Sequence, residues 1–298
     1  MELLRTLLFI PGNRERMIEK AKALRPDAVI FDLEDAVPTA EKESARRMVA
    51  DVLATGGFGT VRTFVRVNAT TTPLLPADLD AVVSPGLFGI VLPKVEYPEE
   101  VEQVHLMLQE REDRLGLAPG HTRILPIIET VRGVLSLSRI AGCHERLLGL
   151  SFGAEDFATD LEVARSKEGI EILYPRVQVA LYARLTNGVA IDTVFVDVKD
   201  EAGLVKDAEM ARQLGFKGKY VLHPRQIEVV NRVFTPSEDE IEYARRIVAA
   251  YEEAEARGEA SVALDGKMID IPVVERARAL LAISQQLSAI GQSQPAAK

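Results

Sequence analysis

Eight short runs rich in Val, Ile, Leu and Phe recur along the first three-quarters of this chain, each followed by a longer amphipathic stretch. They span Arg5–Gly12, Asp27–Asp35, Arg62–Asn68, Gly89–Val95, Arg123–Thr130, Arg146–Gly153, Asp192–Asp197 and Lys219–Pro224. Strands hydrophobic throughout are those covered on both faces, and their alternation with helical periodicity is the pattern of parallel βα units. The intervening segments, such as EEVEQVHLMLQERE and EAGLVKDAEMARQLG, repeat apolar residues at helical spacing, with Gly closing several. Eight units in roughly 230 residues predict an α/β fold, a (β/α)8 TIM barrel. The barrel is expected over 1–234 as the catalytic domain, with a C-terminal helical or lid extension over 235–298. Within the extension a helix is expected from about Ser237 to Arg257. A loop or short hairpin follows over 260–272, then a final amphipathic helix and a frayed polar tail, GQSQPAAK.

The length of 298 residues permits one large core or two. Aromatics are only 5%, with no Trp, so aliphatic side chains must fill the interior, which suits layered α/β packing. The single cysteine, Cys143, excludes an internal disulfide and an all-cysteine metal cluster, and fits a reducing compartment. Lys and Arg total 36 against 45 Asp and Glu, and a net charge of −9 argues against a nucleic-acid coat. A phosphorylated ligand held by a few local cations stays compatible with that balance. No run approaches the ~18 apolar residues of a membrane span. The opening MELLRTLLFIPGNRERM has too short an apolar run and no small-residue cleavage site for a signal peptide. The expectation is a soluble cytoplasmic protein.

Charged and polar residues gather where the predicted strands end, the face on which TIM-barrel active sites lie. Glu129 ends the fifth strand and Asp156 follows the sixth, so adjacent strands place two hard oxygen ligands on one rim, a set suited to Mg²⁺. Alternatively, both acids cap the helices that follow. Arg66, near the end of the third strand with Phe64 and Asn68 on its face, either grips a carboxylate bidentately or pairs with the acids of DLED. Lys94 is a Schiff-base lysine, a cation for a developing enolate, or a salt-bridge partner. Asp32 and Glu34 share one face of the second strand and Asp35 begins its loop; they either hold metal-bound waters or cap a turn before a helix from Thr39. His223 is the one histidine at a predicted strand end, where a packed turn residue before Pro is the plainer reading. Arg14, Arg16 and Lys20 open a helix after Gly12 and Asn13, a place where phosphate can bind.

The motifs LLFIPGNRERM, DAVIFDLEDAV, VRVN, VLPKV, ILPIIET, SFGAEDFATDL, VLHPRQ and GKMIDIPVVERA, in this order over nearly the whole chain, resemble the citrate lyase β-subunit-like proteins. These are relatives of malyl-CoA and citramalyl-CoA lyases within the HpcH/HpaI aldolase superfamily. The resemblance implies a Mg²⁺-dependent carbon–carbon lyase that splits a citryl, malyl or citramalyl thioester into an acetyl thioester and a 2-oxo acid such as oxaloacetate, glyoxylate or pyruvate, or condenses them. It implies Glu129 and Asp156 as metal ligands, Arg66 as the substrate-carboxylate arginine, and Glu34 and Asp35 around the metal waters. Lys94 is expected to contact substrate. Asp270 matches an acid delivered from a neighbouring subunit, which implies a homotrimer or a hexamer built from it. The CoA or phosphopantetheine phosphates are expected near Arg14, Lys20 and the backbone at His223.

Two other functions compete with this one. One is an aldolase acting on free pyruvate and an aldehyde; such enzymes commonly use a histidine near the first strands, and none precedes His105 here. The other is a subunit inactive without separate α and acyl-carrier components.

Overall fold

The computed structural model describes residues 3–292. The chain divides into two compact units at Phe234/Thr235.

The first unit is a closed barrel of eight parallel strands: β1 (Thr6–Pro11), β2 (Ala28–Asp32), β3 (Arg62–Arg66), β4 (Gly89–Leu92), β5 (Arg123–Ile128), β6 (Gly149–Phe152), β7 (Val189–Asp192) and β8 (Gly218–Val221). Each strand pairs with the next, and β8 returns to β1 through Leu7 opposite Tyr220. Strand parity divides the core in two. Leu7, Ile30, Phe64, Val91, Leu125 and Ile191 fill the barrel interior, while their neighbours, such as Leu8, Val29 and Val65, pack against the helices outside. Where β6 meets β7, a Cβ at Gly149 would collide with the backbone of Val189, so only glycine lets those strands approach.

The seventh strand lies earlier than the sequence pattern indicates, at Val189–Asp192 rather than Asp192–Asp197. Asp192 is fully buried and accepts from Arg176 Nε at 3.0 Å, Arg176 Nη2 at 2.8 Å and Lys219 Nζ at 2.6 Å. A carboxylate so neutralised can end a buried strand. The Val194–Val196 alternation that imitates a strand belongs to the following loop, where Val196 is exposed. The sixth strand likewise begins at Gly149, because Arg146 is taken up by a buried two-point pair with Glu112 at 2.6 and 3.0 Å.

The second unit contains α11 (Glu238–Ala256), a hairpin of β9 (Val262–Leu264) and β10 (Lys267–Ile269), and α12 (Ile271–Gln292). Ser237 and Glu240 form a capping box that starts α11. Asp265 and Gly266 both adopt positive φ, 50° and 74°, as a two-residue hairpin turn requires. Ala244, Ile247, Tyr251, Ile269 and Val274 make its small core. The frayed tail expected from residue 291 falls, from residue 293 onward, outside the described residues. Among the described residues no helix is long and apolar enough to cross a membrane.

Candidate active site

The parity that puts Ile30, Phe64 and Ile127 inside the barrel carries two residues further to Asp32, Arg66 and Glu129, and so aims three charged side chains into its C-terminal mouth. There they help to line a cavity of about 500 Å³ with Asp35, Asp156 and Met17. Phe9 and Tyr220 form its aromatic floor, with ring centroids 5.0 Å apart.

Arg66 uses its Nε–Nη2 fork on Asp32, at 2.8 and 2.6 Å, and Phe9 lies under its guanidinium at 5.0 Å. Its Nη1 is 3.0 Å from Glu34 Oε2, an oxygen that is buried and accepts no hydrogen bond. Burial opposes the charge on Arg66, but Asp32, Glu34 and Glu129 outweigh it and raise its pKa. The bidentate grip predicted for a ligand is therefore occupied by a protein carboxylate. The strand ends at this point, so Asn68 does not continue the face of Phe64 and Arg66; its side chain donates to Leu33 O at 3.0 Å and Asp78 Oδ2 at 2.7 Å.

Strand β2 ends at Asp32, where the sequence pattern continues it to Asp35. The reason is local. The Asp32 carboxylate accepts from the backbone N–H of Glu34 at 2.9 Å and of Ala36 at 3.2 Å, which closes a turn in place of the next strand ladder. Glu34 lies in that turn and is buried, whereas Asp35 is exposed. Burial raises the pKa of Glu34 against the opposing pull of Arg66 and Lys94.

Lys94 follows β4 with φ at 55°, the left-handed region that few non-glycine residues adopt. This conformation turns its N–H toward Glu129 Oε1, 2.8 Å away. Its Nζ donates to Glu34 Oε1 at 2.6 Å and lies 3.7 Å from Asp35 and 3.8 Å from Asp156. Burial works against the ammonium, yet those three acids raise its pKa, so the geometry is that of a salt-bridge partner and not of a neutral Schiff-base amine.

Glu129 is almost fully buried, and its carboxyl is pushed up to about 8 by that burial and then by Asp156 and Glu34. Its Oε2 faces Gly153, where a Cβ would collide with it. Asp156 stands in the first turn of α7 (Ala154–Asp160), and Thr193 Oγ1 holds that helix start by accepting from Ala154 N at 2.9 Å. Among the described residues no three His, Cys, Asp or Glu side chains form a metal-ligand cluster. Two carboxylates on one cavity, one of them short of positive charge and with an oxygen left open by a glycine, do fit a magnesium ion that keeps several waters.

The structure thus brings Glu34, Asp35, Arg66, Lys94, Glu129 and Asp156 together. Lys20 is exposed on α1 (Glu15–Ala21) and Arg14 is exposed just before it, both outside the cavity lining, to which that helix contributes Met17. His223 is a turn residue whose Nδ1 accepts from Arg225 N at 3.2 Å at the start of α10 (Pro224–Phe234). Asp270 lies in the second unit, where its carboxylate accepts from Val273 N at 3.3 Å at the head of α12. Sequence reasoning did not single out Phe9 and Tyr220. Extending the in–out parity of β1 and β8 to the mouth would have found both.

The HpcH/HpaI aldolase/citrate lyase family model matches residues 5–224. The citrate lyase subunit beta of Leuconostoc mesenteroides subsp. cremoris is 38% identical over 95% of this chain and 93% of its own length. The mitochondrial citramalyl-CoA lyase of Rattus norvegicus is 32% identical, over 95% of this chain and 86% of its own. The structure of protein CitE from Mycobacterium tuberculosis, in complex with magnesium, acetoacetate and coenzyme A, is similar at a TM-score of 0.77 and 30% identity, covering 94% of this chain and 98% of that one. A barrel of this topology with matches of this extent leaves one assignment: the chain is a lyase of the HpcH/HpaI aldolase/citrate lyase family.

Proposed function

We propose that this chain is a Mg²⁺-dependent carbon–carbon lyase that converts a 3-hydroxy-acyl thioester of the citryl, malyl or citramalyl type into an acetyl thioester and a 2-oxo acid, or runs the reverse condensation. The observation that carries this reading is the pair Glu129 and Asp156 on one cavity with Arg66. The complex of the Mycobacterium protein with magnesium, acetoacetate and coenzyme A supports it.

Held by Glu129 and Asp156, Mg²⁺ would supply a Lewis acid for the substrate's hydroxyl and adjacent carboxylate. The chain's own residues do the rest. Arg66, locked on Asp32 and backed by Phe9, presents positive charge to the anionic end of the substrate. Lys94 fixes Glu129 through its amide and Glu34 through its ammonium, so two acids keep their positions as charge moves. As the hydroxyl proton passes to solvent, the oxygen's electron pair forms the carbonyl of the oxo acid and the pair of the breaking C–C bond becomes the enolate of the acetyl thioester. In this reading Asp270 of a neighbouring subunit protonates the enolate carbon, or removes the methyl proton in condensation. Arg14, Lys20 and the backbone near His223 take the CoA phosphates, and the enzyme is a cytoplasmic homotrimer or a hexamer made from it.

Assay of the purified protein over citryl-, malyl- and citramalyl-CoA with and without Mg²⁺ tests the reading. Mg²⁺-dependent release of acetyl-CoA is expected; turnover of free pyruvate with an aldehyde and no thioester overturns it. A second reading, a subunit that requires separate acyl-carrier partners, is favoured by the Leuconostoc relative being a subunit. It predicts no turnover of any CoA thioester by the chain alone. Sedimentation of a fully active monomer would remove the neighbouring-subunit role of Asp270.

A further inference from the structure

We infer that the first unit carries a second ligand site, at the N-terminal end of the barrel, which binds a small oxyanion, a phosphate or carboxylate group, between the imidazoles of His105 and His144 and the guanidinium of Arg123. The site is independent of the lyase chemistry, because Arg123 opens β5 and His144 precedes β6, at the end of the strands opposite Glu129 and Asp156.

Arg146 orients the donors. Its Nε donates to His105 Nδ1 at 3.1 Å, and its backbone N–H donates to His144 Nδ1 at 3.0 Å. Neither an arginine side chain nor an amide N–H can accept in return, so both rings carry a bare Nδ1 and each neutral imidazole keeps its proton on Nε2. Glu112 holds the Arg146 guanidinium from behind, at 2.6 and 3.0 Å. His105, on α4 (Pro98–Leu115), stacks on His144 with ring centroids 3.9 Å apart. Burial, and then His144 and Arg146, lower the pKa of His105 below its ordinary 6.5, which keeps the ring neutral at neutral pH.

Both rings line a cavity of about 330 Å³ together with Arg123, Gln109 and Glu145. Among the described residues neither Nε2–H meets an acceptor. Arg123 brings the charge. Its Nη2 donates to the carbonyls of Glu145 and Leu147 at 3.1 and 3.2 Å, its Nε is buried without a partner, and among the described residues no carboxylate pairs with it. The Glu145 side chain is exposed, so water screens its carboxylate. Two N–H donors beside a guanidinium that lacks a counter-ion are the complement of an oxyanion. A metal ion does not fit the same atoms. An imidazole that ligates through Nε2 carries its proton on Nδ1, where in both rings that proton would face an Arg146 N–H.

The test is NMR of the metal-free, full-length protein with isotope-labelled histidines, titrated separately with inorganic phosphate and with acetate. Before addition, His105 and His144 should show an unprotonated Nδ1 and a protonated Nε2. At least one of the anions should then shift both Nε2 signals saturably, and the tighter binder identifies the group. Arg123→Gln and His144→Gln should each weaken that binding by at least about tenfold, the loss expected for a hydrogen bond to a charged ligand, and Arg123→Lys should weaken it less. Arg123 also ties down two carbonyls, so circular dichroism checks the fold of each variant, and His144→Gln, which keeps those bonds, decides the matter should Arg123→Gln unfold. Protons on Nδ1, no saturable shift with either anion, unchanged affinity in folded His144→Gln, or binding of Zn²⁺ but of neither anion would each overturn the site.

Discussion

The backbone N–H of Lys94, turned into the left-handed region at φ 55°, donates at 2.8 Å to Oε1 of Glu129 on the neighbouring strand's end. The contact needs the backbone conformation and not the side chain, which is engaged separately with Glu34.

That separation makes Lys94→Gly and Lys94→Ala distinguishable. Both lose the ammonium, but only Ala keeps the left-handed strain, so Lys94→Ala should be less stable than Lys94→Gly by about 1 kcal/mol. Denaturant unfolding of both variants measures the difference. An alanine variant as stable as the glycine one refutes the role given to φ.

Arg66 and Asp32 are a largely buried two-point pair, with Glu34 alongside. Removing the cation leaves buried Asp32 without its ion-pair partner and Glu34 with Lys94 alone, and Arg66→Ala should cost about 3–5 kcal/mol. Arg66→Lys keeps the charge but not the fork and should fall between wild type and Arg66→Ala. In a double-mutant cycle with Asp32→Ala, Asp32→Ala should cost less in the Arg66→Ala background than in wild type; strict additivity would disprove the coupling.

Glu129 has a folded pKa of about 8, above its ordinary 4.5, because of burial and nearby acids. The folded state therefore retains a proton that the unfolded chain has lost, so this group's contribution to stability falls as pH rises from about 4.5 to about 8. Mg²⁺ binding must displace that proton. Thermal unfolding should show a larger Mg²⁺-induced rise in Tm at pH 8.5 than at pH 6.5, and calorimetry in buffers of different ionisation enthalpy should detect proton release at pH 6.5. An Mg²⁺ effect independent of pH contradicts the assignment of Glu129 as a ligand.

Gly153 leaves open the space that Glu129 Oε2 faces. Gly153→Ala should push the carboxylate aside and weaken Mg²⁺ binding by at least about tenfold, roughly the effect of a disturbed supporting shell. Retained helical content by circular dichroism separates this outcome from misfolding. Unchanged Mg²⁺ affinity, measured by calorimetry, would place the ion elsewhere.

The barrel was legible because strand and helix periodicities are local properties. Runs such as AVIFD and GIVL are apolar on both faces, and helical stretches separate them, whatever the rest of the chain does. The acids and cations at the mouth were legible as residue types for the same reason: they interrupt apolar runs at strand ends. Strand limits were less legible. Asp192 looks like the polar start of a strand until Arg176 and Lys219, distant in sequence, neutralise it inside the fold. Phe9 and Tyr220 look like ordinary core residues until β8 closes onto β1.

By itself the order of apolar and polar residues determined the architecture and the carboxylate-rich rim, since burial of period-two strands leaves few other arrangements. Only tertiary structure decided which charges pair. Arg66 faces Asp32 across neighbouring strands, Lys94 is held between Glu129 and Glu34, and Glu129 is left short of positive charge. Those outcomes depend on distances of a few ångströms and on desolvation by the closed barrel, and Coulomb energies vary too steeply with both for residue spacing along the chain to specify them.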